Sequence, residues 1–390
     1  MTDTVTLGDV PTVTQPAWGR SVGFVTPQVQ IFTEPFRTAS GALIPAPWQL
    51  SYETYGKLNA DRSNVILLCH ALSGDAHAAG RYSVHDSKAG WCEPFIGPGR
   101  AFDTDRYFVI CSNILGGCGG STGPSSLHPH TGTHWGSRFP VLTIGDMVAA
   151  QVRLLDALGI ERLLAVAGGS LGGMQALEWA ASWGDRVRGV IALATTARSS
   201  AMAMALSAAG RQAIVSDPDW RGGDYYGTAG PVNGLATARR IGHISYLSAE
   251  ALEEKFDRRW QHEASPQWSH QPEFAVESYL DYQGRAFVQR FDANSYLVIS
   301  RAMDYFDLSQ RAGGLTTAFA NTQARFFVAT WSSDWLYPER DGELIQQAAQ
   351  VAGRTVVHYP FHSTKGHDAF LLEDAQLTPP LIDWLASLSA

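Results

Sequence analysis

Leu163-Leu-Ala-Val-Ala-Gly-Gly-Ser-Leu-Gly-Gly-Met174 is the stretch on which the fold turns. An apolar, strand-like run enters Gly168-x-Ser170-x-Gly172, and residues 175–183 then carry helical spacing. A strand that reverses into a helix over so short a turn must pass close to it, which small residues two before and two after the serine permit. The turn holds Ser170 in a strained backbone conformation and lifts its hydroxyl above the sheet edge. There it faces a helix N-terminus that favours a developing negative charge. Taken alone, the pattern also fits an ordinary glycine-rich strand-to-helix turn, a phosphate loop among them, so its surroundings must decide.

Outward from this turn, short apolar runs bounded by Gly, Asn, Asp or Ser recur at 65–69, 107–111, 163–167, 187–194, 325–330 and 355–359. From about Gln49 they alternate with longer amphipathic segments, the pattern of βα units on a mostly parallel sheet. Between about 199 and 315 the alternation stops, and segments such as 234–255 and 294–306 show helical spacing with no strand between them. The reading is an α/β core of 26–198 and 316–390, a helical lid inserted at 199–315, and an irregular N-terminal extension over 1–25. That extension has no basic start followed by an apolar run, so no secretory signal is expected.

The later runs supply the partners that Ser170 needs. After 325–330 comes Trp331-Ser-Ser-Asp334-Trp-Leu-Tyr-Pro338, and after 355–359 comes His362-Ser-Thr-Lys-Gly-His367-Asp368. Serine, then acid, then histidine, each in the loop leaving a successive strand, is the order of an α/β-hydrolase triad. Singly, Asp334 and His367 read equally well as solvated loop residues; the shared order points to Ser170, Asp334 and His367 as catalytic. A serine hydroxyl is a poor nucleophile at neutral pH, so His367 must take its proton while Asp334 orients the ring and stabilises the imidazolium. The oxyanion requires two donors. They are assigned to the backbone N–H of Leu171, just after the nucleophile, and that of Leu72 in the loop following 65–69.

Composition bounds the partners. In 390 residues, 45% are hydrophobic and 17% charged, which suits a sheet covered on both faces. A formal charge of −8 disfavours nucleic acid or an anionic membrane as the main partner. Apolar stretches are far too short to cross a bilayer. Cys69, Cys92, Cys111 and Cys118 lack metal-ligand spacing, so free thiols in a reducing cytoplasm are expected. His128, His130 and His134 invite a metal hypothesis, but Pro129 and Gly132 make their segment a loop with no acidic or thiol ligand beside it, and no metal is assigned. Cys118, among glycines, reads as a loop residue rather than a second nucleophile.

Further stretches sharpen the reading. His70-Ala-Leu-Ser-Gly-Asp-Ala-His77, Asn113-Ile-Leu-Gly-Gly-Cys-Gly-Gly-Ser-Thr-Gly-Pro124, Phe291-Asp-Ala-Asn-Ser-Tyr296, Ala302-Met-Asp-Tyr-Phe306 and Gly366-His-Asp-Ala-Phe370 accompany the serine motif. Together they resemble the homoserine O-acetyltransferase family, α/β-hydrolase-fold acyltransferases of methionine biosynthesis, over nearly the whole chain from Gln49. The resemblance implies a ping-pong reaction in which an acyl-CoA acylates Ser170, CoA leaves, and the hydroxyl of L-homoserine attacks the acyl-enzyme. It implies no cofactor beyond acetyl-CoA as cosubstrate, and a homodimer. It also implies that an arginine early in the lid and the aspartate after the catalytic histidine hold the amino acid. Those positions match Arg239 and Asp368, although the adjacent Arg240 leaves open which arginine faces the pocket. Charge supports the pairing, since Arg grips a carboxylate with two parallel bonds and Asp can pair with an ammonium. Leu336, where succinyl users of the family tend to carry a basic residue, favours acetyl over succinyl. The alternatives are a homoserine O-succinyltransferase, an esterase whose acyl-enzyme is resolved by water, and a binding protein without turnover.

Overall fold

A computed structural model of the chain describes residues 20–261 and 266–389. Its central strands are β1 (Gln28–Phe32), β2 (Trp48–Tyr55), β3 (Val65–Cys69), β4 (Phe108–Ser112), β5 (Ala165–Gly169), β6 (Gly189–Leu193), β7 (Arg325–Trp331) and β8 (Val356–Phe361). They form one eight-stranded sheet in the order β1-β2-β4-β3-β5-β6-β7-β8. β1, β2 and β4 are joined antiparallel, and every pairing from β4 to β8 is parallel. β3, β5 and β6 are buried along their whole length because both faces are covered, as their continuous apolar sequences require. Side chains alternate across the sheet with period two. Leu67, Val166, Val190 and Val328 pack into one core, while Ile66, Ala165, Ile191 and Phe327 pack into the other.

The helices of eight residues or more are α1 (Ile144–Ala157), α2 (Leu171–Ser182), α3 (Ala201–Val215), α4 (Val232–Tyr246), α5 (Ala249–Phe256), α6 (Ala275–Val288), α7 (Ala293–Asp304), α8 (Glu339–Val351) and α9 (Asp374–Ser389). α1 starts at a capping box, in which the Thr143 hydroxyl accepts from the Asp146 N–H and the Asp146 carboxylate accepts from the Thr143 N–H. α1 and α2 cover the first core face; Leu377, Leu381, Trp384 and Leu385 of α9 cover the second. Between β6 and β7 the described residues add no strand to the sheet and supply α3 to α7. The fold is the α/β-hydrolase fold, a mostly parallel sheet with helices on both sides.

Several local expectations shift. β5 spans Ala165–Gly169 rather than 163–167, because Gly168 and Gly169 still pair with Ala192 and Leu193 of β6 and the turn falls at Ser170. α2 starts at Leu171 rather than 175, its glycines lying inside the first turn. Residues 234–255 are helical as expected and divide into two helices: α4 ends at Tyr246 and Ser248 caps α5 by accepting from the Ala251 N–H. β1 and β2 escaped the apolar-run reading since their sequences, QVQIF and WQLSYETY, interleave polar residues. Of the expected extension 1–25, residues 1–19 lie outside the described residues, and Phe24 forms an isolated parallel bridge with Arg81.

Candidate active site

At the turn from β5 to α2, Ser170 has φ 58° and ψ −122°, a region that L-residues rarely adopt. The conformation is held from several sides. The Ser170 N–H donates to the Leu193 carbonyl (3.0 Å), and the Ser170 carbonyl accepts from the Thr195 hydroxyl (2.7 Å) and from the Met174 N–H (3.1 Å). A Cβ on Gly168 would collide with the Gly172 backbone, and one on Gly172 with the Cys69 carbonyl at the end of β3. The glycines two before and two after the serine are therefore what lets β5, α2 and β3 converge. Leu171 opens α2, so its N–H has no intrahelical acceptor. Leu72 lines the same cavity as Ser170.

The loop carrying Leu72 is held by a buried histidine. His70 is buried; its Nδ1 donates to the Ala71 carbonyl (2.8 Å), so its Nε2 is the acceptor for the Ile114 N–H (3.2 Å). Burial lowers the pKa of this ring, and both nitrogens are occupied in the neutral tautomer. Further along, Glu53 is buried and accepts from the hydroxyls of Tyr55 and Tyr82 (2.7 Å each) and from His77 (3.1 Å). The Tyr55 hydroxyl in turn takes the Ala78 N–H. This network braces residues 76–82, and nothing in the sequence around Glu53 marks it.

After β7, Asp334 is buried and accepts from the N–H groups of Leu336 and Tyr337 at Oδ1 (3.0 Å each). Its Oδ2 meets His367 Nδ1 at 2.8 Å. Burial opposes a charge on His367, but the Asp334 carboxylate outweighs it and leaves the imidazole pKa above its ordinary value. Tyr337 and Phe370 pack on the ring at centroid distances of 5.2 and 5.5 Å. Phe370 also fills the space beside Gly169, tying the base to the turn that carries Ser170.

The inserted segment reaches this loop at the end of α4. Tyr246 lines the cavity over Ser170 and lies 5.9 Å from the His367 ring. Gly366 has φ +72°, and a Cβ there would collide with the backbone of Tyr246, Leu247 and Ser248. The Ser248 hydroxyl donates to the Thr364 carbonyl, and Trp335 Nε1 donates to the Leu247 carbonyl (3.0 Å). Tyr246, seven residues after Arg239 and so on the same helix face, was missed in the sequence; that spacing was the available signal.

Arg239 and Arg240 part company on α4. Arg240 pairs with Asp281 of α6. Arg239 instead has its Nε and Nη1 buried without a partner, with its guanidinium 4.7 Å from the Phe287 ring centre and 5.7 Å from that of Tyr246. Asp368 adjoins His367; burial pushes its pKa up, against the pull of His367 and Arg239. One turn after Arg239, His243 bonds the Tyr279 hydroxyl (3.1 Å), and burial followed by Arg239 drives its pKa down to about 3, so it stays neutral.

Other flagged residues have structural surroundings. The Cys118 thiol takes the Asp292 N–H (3.4 Å) and is pushed by burial to about 11, too high for a thiolate nucleophile at neutral pH. His134 bonds the Ser125 carbonyl (2.6 Å) and stacks on Tyr226, and His128 packs on Trp135. Among the described residues no group of three His, Cys, Asp or Glu side chains could hold a metal ion, and no helix is long and apolar enough to cross a membrane.

Comparison with known proteins agrees with the fold. The family described as alpha/beta hydrolase fold matches residues 64–360. A homoserine O-acetyltransferase of Solidesulfovibrio magneticus is 51% identical over 366 residues, covering 92% of each chain. The crystal structure of homoserine O-acetyltransferase from Bacillus anthracis superposes with a TM-score of 0.86 at 31% identity, over 93% of this chain and 98% of that one. An acetylester hydrolase from Corynebacterium glutamicum gives 0.77 at 25% identity, over 93% and 96%. Likeness of this depth across nearly all of both chains settles the grouping: the protein belongs to the homoserine O-acetyltransferase family of the α/β-hydrolase fold.

Proposed function

We propose that the protein transfers the acetyl group of acetyl-CoA to the side-chain hydroxyl of L-homoserine through an acyl-Ser170 intermediate. His367 takes the Ser170 proton as Oγ attacks the thioester carbonyl, and the resulting oxyanion is met by the N–H groups of Leu171 and Leu72. Collapse breaks the C–S bond, and the proton held by His367 leaves on the CoA thiol. The homoserine hydroxyl then gives its proton to His367 and attacks the acyl carbon, and collapse returns the proton to Ser170 with release of O-acetylhomoserine. Asp334 keeps His367 Nδ1–H turned towards itself and stabilises the imidazolium at each stage.

The observation that carries the assignment is Arg239. A guanidinium with two buried, unpartnered nitrogens, set against the rings of Phe287 and Tyr246, is a poor arrangement for the protein alone and a good one for an incoming carboxylate. Asp368, whose charge burial disfavours, is suited to the substrate ammonium. A hydrolase acting on simple esters has no use for this pair. Leu336 lines the cavity over Ser170 and supports acetyl over a succinyl group, whose second carboxylate would lose hydration there without a partner.

The decisive experiment incubates purified protein with acetyl-CoA, with and without homoserine, and follows thiol release together with the acylated product. Homoserine should accelerate thiol release and accumulate O-acetylhomoserine. Equal release in both, yielding only acetate, would make the protein a hydrolase. We further propose a cytoplasmic homodimer. Free thiols at all four cysteines fit a reducing compartment, and Met202 and Met204 of α3 with Ile244 of α4 leave an exposed apolar set on the lid.

A further inference from the structure

Arg290 lies just beyond α6, where the lid meets the loop after β3. Its Nη1 donates to the Ser73 carbonyl (2.8 Å), one residue past Leu72, and this is its only side-chain hydrogen bond among the described residues. Its guanidinium carbon is 5.4 Å from the centre of the Phe287 ring, the ring that Arg239 also approaches. Two cations thus share one aromatic residue, Arg239 with buried nitrogens and Arg290 exposed. Four other lid arginines are paired with carboxylates: Arg211 and Arg301 meet Asp304, and Arg240 and Arg285 meet Asp281. Asp75, a nearby acid, is engaged by the His77 N–H (2.9 Å). Partial burial of the head group and repulsion from Arg239 lower the Arg290 pKa, while Asp75 and Cys118 pull it the other way.

We infer that Arg290 is the anion contact for the acyl donor, taking a phosphate oxygen of the CoA moiety at the seam between lid and core while Arg239, deeper in, takes the carboxylate of the amino acid. The inference rests on the acyl-CoA reading above. The donor carbonyl must lie between Ser170 and the N–H groups of Leu72 and Leu171, so the rest of the donor has to leave past the lip of that loop. Ser73 is on this lip, and Arg290 is the cation fixed to it. A guanidinium bound by one nitrogen keeps its other donors for a phosphate, which it can grip with two parallel bonds.

The test compares wild type, Arg290→Ala and Arg290→Lys with three donors: acetyl-CoA, acetyl-4′-phosphopantetheine and phosphate-free S-acetylpantetheine. In Arg290→Ala, the ratio of kcat/KM for acetyl-CoA over S-acetylpantetheine should fall by about tenfold or more, carried by KM, as expected for loss of a charge-assisted bond. Arg290→Lys should recover part of that ratio, and the phosphopantetheine donor tells which phosphate is held. An equal loss on all three donors, carried by kcat, overturns the inference and makes Arg290 a brace for the Leu72 loop. A rise confined to the homoserine KM overturns it in favour of the amino-acid subsite. If wild type discriminates none of the donors yet still acylates homoserine, this inference fails and the transferase reading stands; if wild type releases no thiol with homoserine present, both fall.

Discussion

Replacing Arg239 with Met should improve the free protein while impairing its second half-reaction. Methionine keeps much of the apolar stem volume beside Phe287 and Tyr246 and deletes the charge. Nε and Nη1 are buried with no acceptor, and each such donor costs about 1–3 kcal/mol of lost hydration. Against this stands the attraction to the Phe287 face, 4.7 Å away, on the order of 0.5–2 kcal/mol. With two such donors the balance lies between neutrality and roughly 5 kcal/mol of stabilisation, so Tm should hold or rise. The substrate carboxylate, however, loses a charge-assisted grip of about 1.5–3 kcal/mol, roughly ten- to a hundredfold in kcat/KM for homoserine. Intact-mass measurement after incubation with acetyl-CoA reads acylation of Ser170, and adding homoserine reads deacylation. Acylation should survive and deacylation should slow. Should the variant fail to acylate while a pre-acylated sample still reacts normally with homoserine, Arg239 serves the acyl donor and the assignment is wrong. A marked fall in Tm would show instead that the protein itself satisfies this cation.

Ser170→Ala should remove the covalent acyl adduct and lower turnover by on the order of a thousandfold or more without loss of Tm, because alanine meets the same backbone demand at φ 58°; near-normal turnover means another nucleophile. Acetyl-CoA should exceed succinyl-CoA in kcat/KM at fixed homoserine, since Leu336 offers no cation to a second carboxylate; a clear succinyl preference overturns this. Asp341 of α8 is buried with Oδ2 unpartnered, and burial raises its pKa to about 6 against the pull of Arg340 and Thr196. The folded state therefore holds a proton that the unfolded chain has released by about pH 4, and stability declines as pH rises towards 6. Asp341→Asn should raise Tm at pH 8, by an effect of order 1–3 kcal/mol, and leave it nearly unchanged at pH 4; an equal shift at both values refutes the titration.

What could be read beforehand divides along physical lines. The parallel half of the sheet was legible because β3, β5, β6 and β7 are covered on both faces and so appear as unbroken apolar runs. Ser170, Asp334 and His367 could be singled out as candidates because this fold places its chemistry in loops after successive strands, an order that survives in one dimension, and the structure brings Asp334 and His367 into contact. The antiparallel edge was not, since β1 has exposed residues and β2 buries Ser51 and Glu53, polar groups whose partners lie far along the chain at Ser121, His77 and Tyr82. Which arginine of α4 faces inward was equally hidden. Neighbouring helical positions differ by about 100° in direction, and only the Asp281 carboxylate on α6 shows which one has a partner outside the pocket.

The inserted helices are usually thought of as a cover, yet their contacts make them part of the base. Among the contacts that connect them to loops of the core are Ser248 to Thr364, Trp335 to Leu247, Arg290 to Ser73, and the packing of Gly366 against Tyr246, Leu247 and Ser248. Gly366 immediately precedes His367, and Ser73 follows Leu72. A swing of the lid large enough to admit a bulky donor would therefore displace both the imidazole and an oxyanion donor, the groups that must be preorganised when the thioester arrives. Access along the seam avoids that cost. On the proposed assignment, a donor arriving along the seam reaches the cavity under Tyr246 with its bulk outside and needs no swing of the lid. On the same assignment, a scaffold shared with ester hydrolases favours an amino-acid acceptor because Arg239 and Tyr246 come from α4, Asp334 and His367 from the core, and the contacts between α4 and the His367 loop hold the proposed carboxylate site and base in one register.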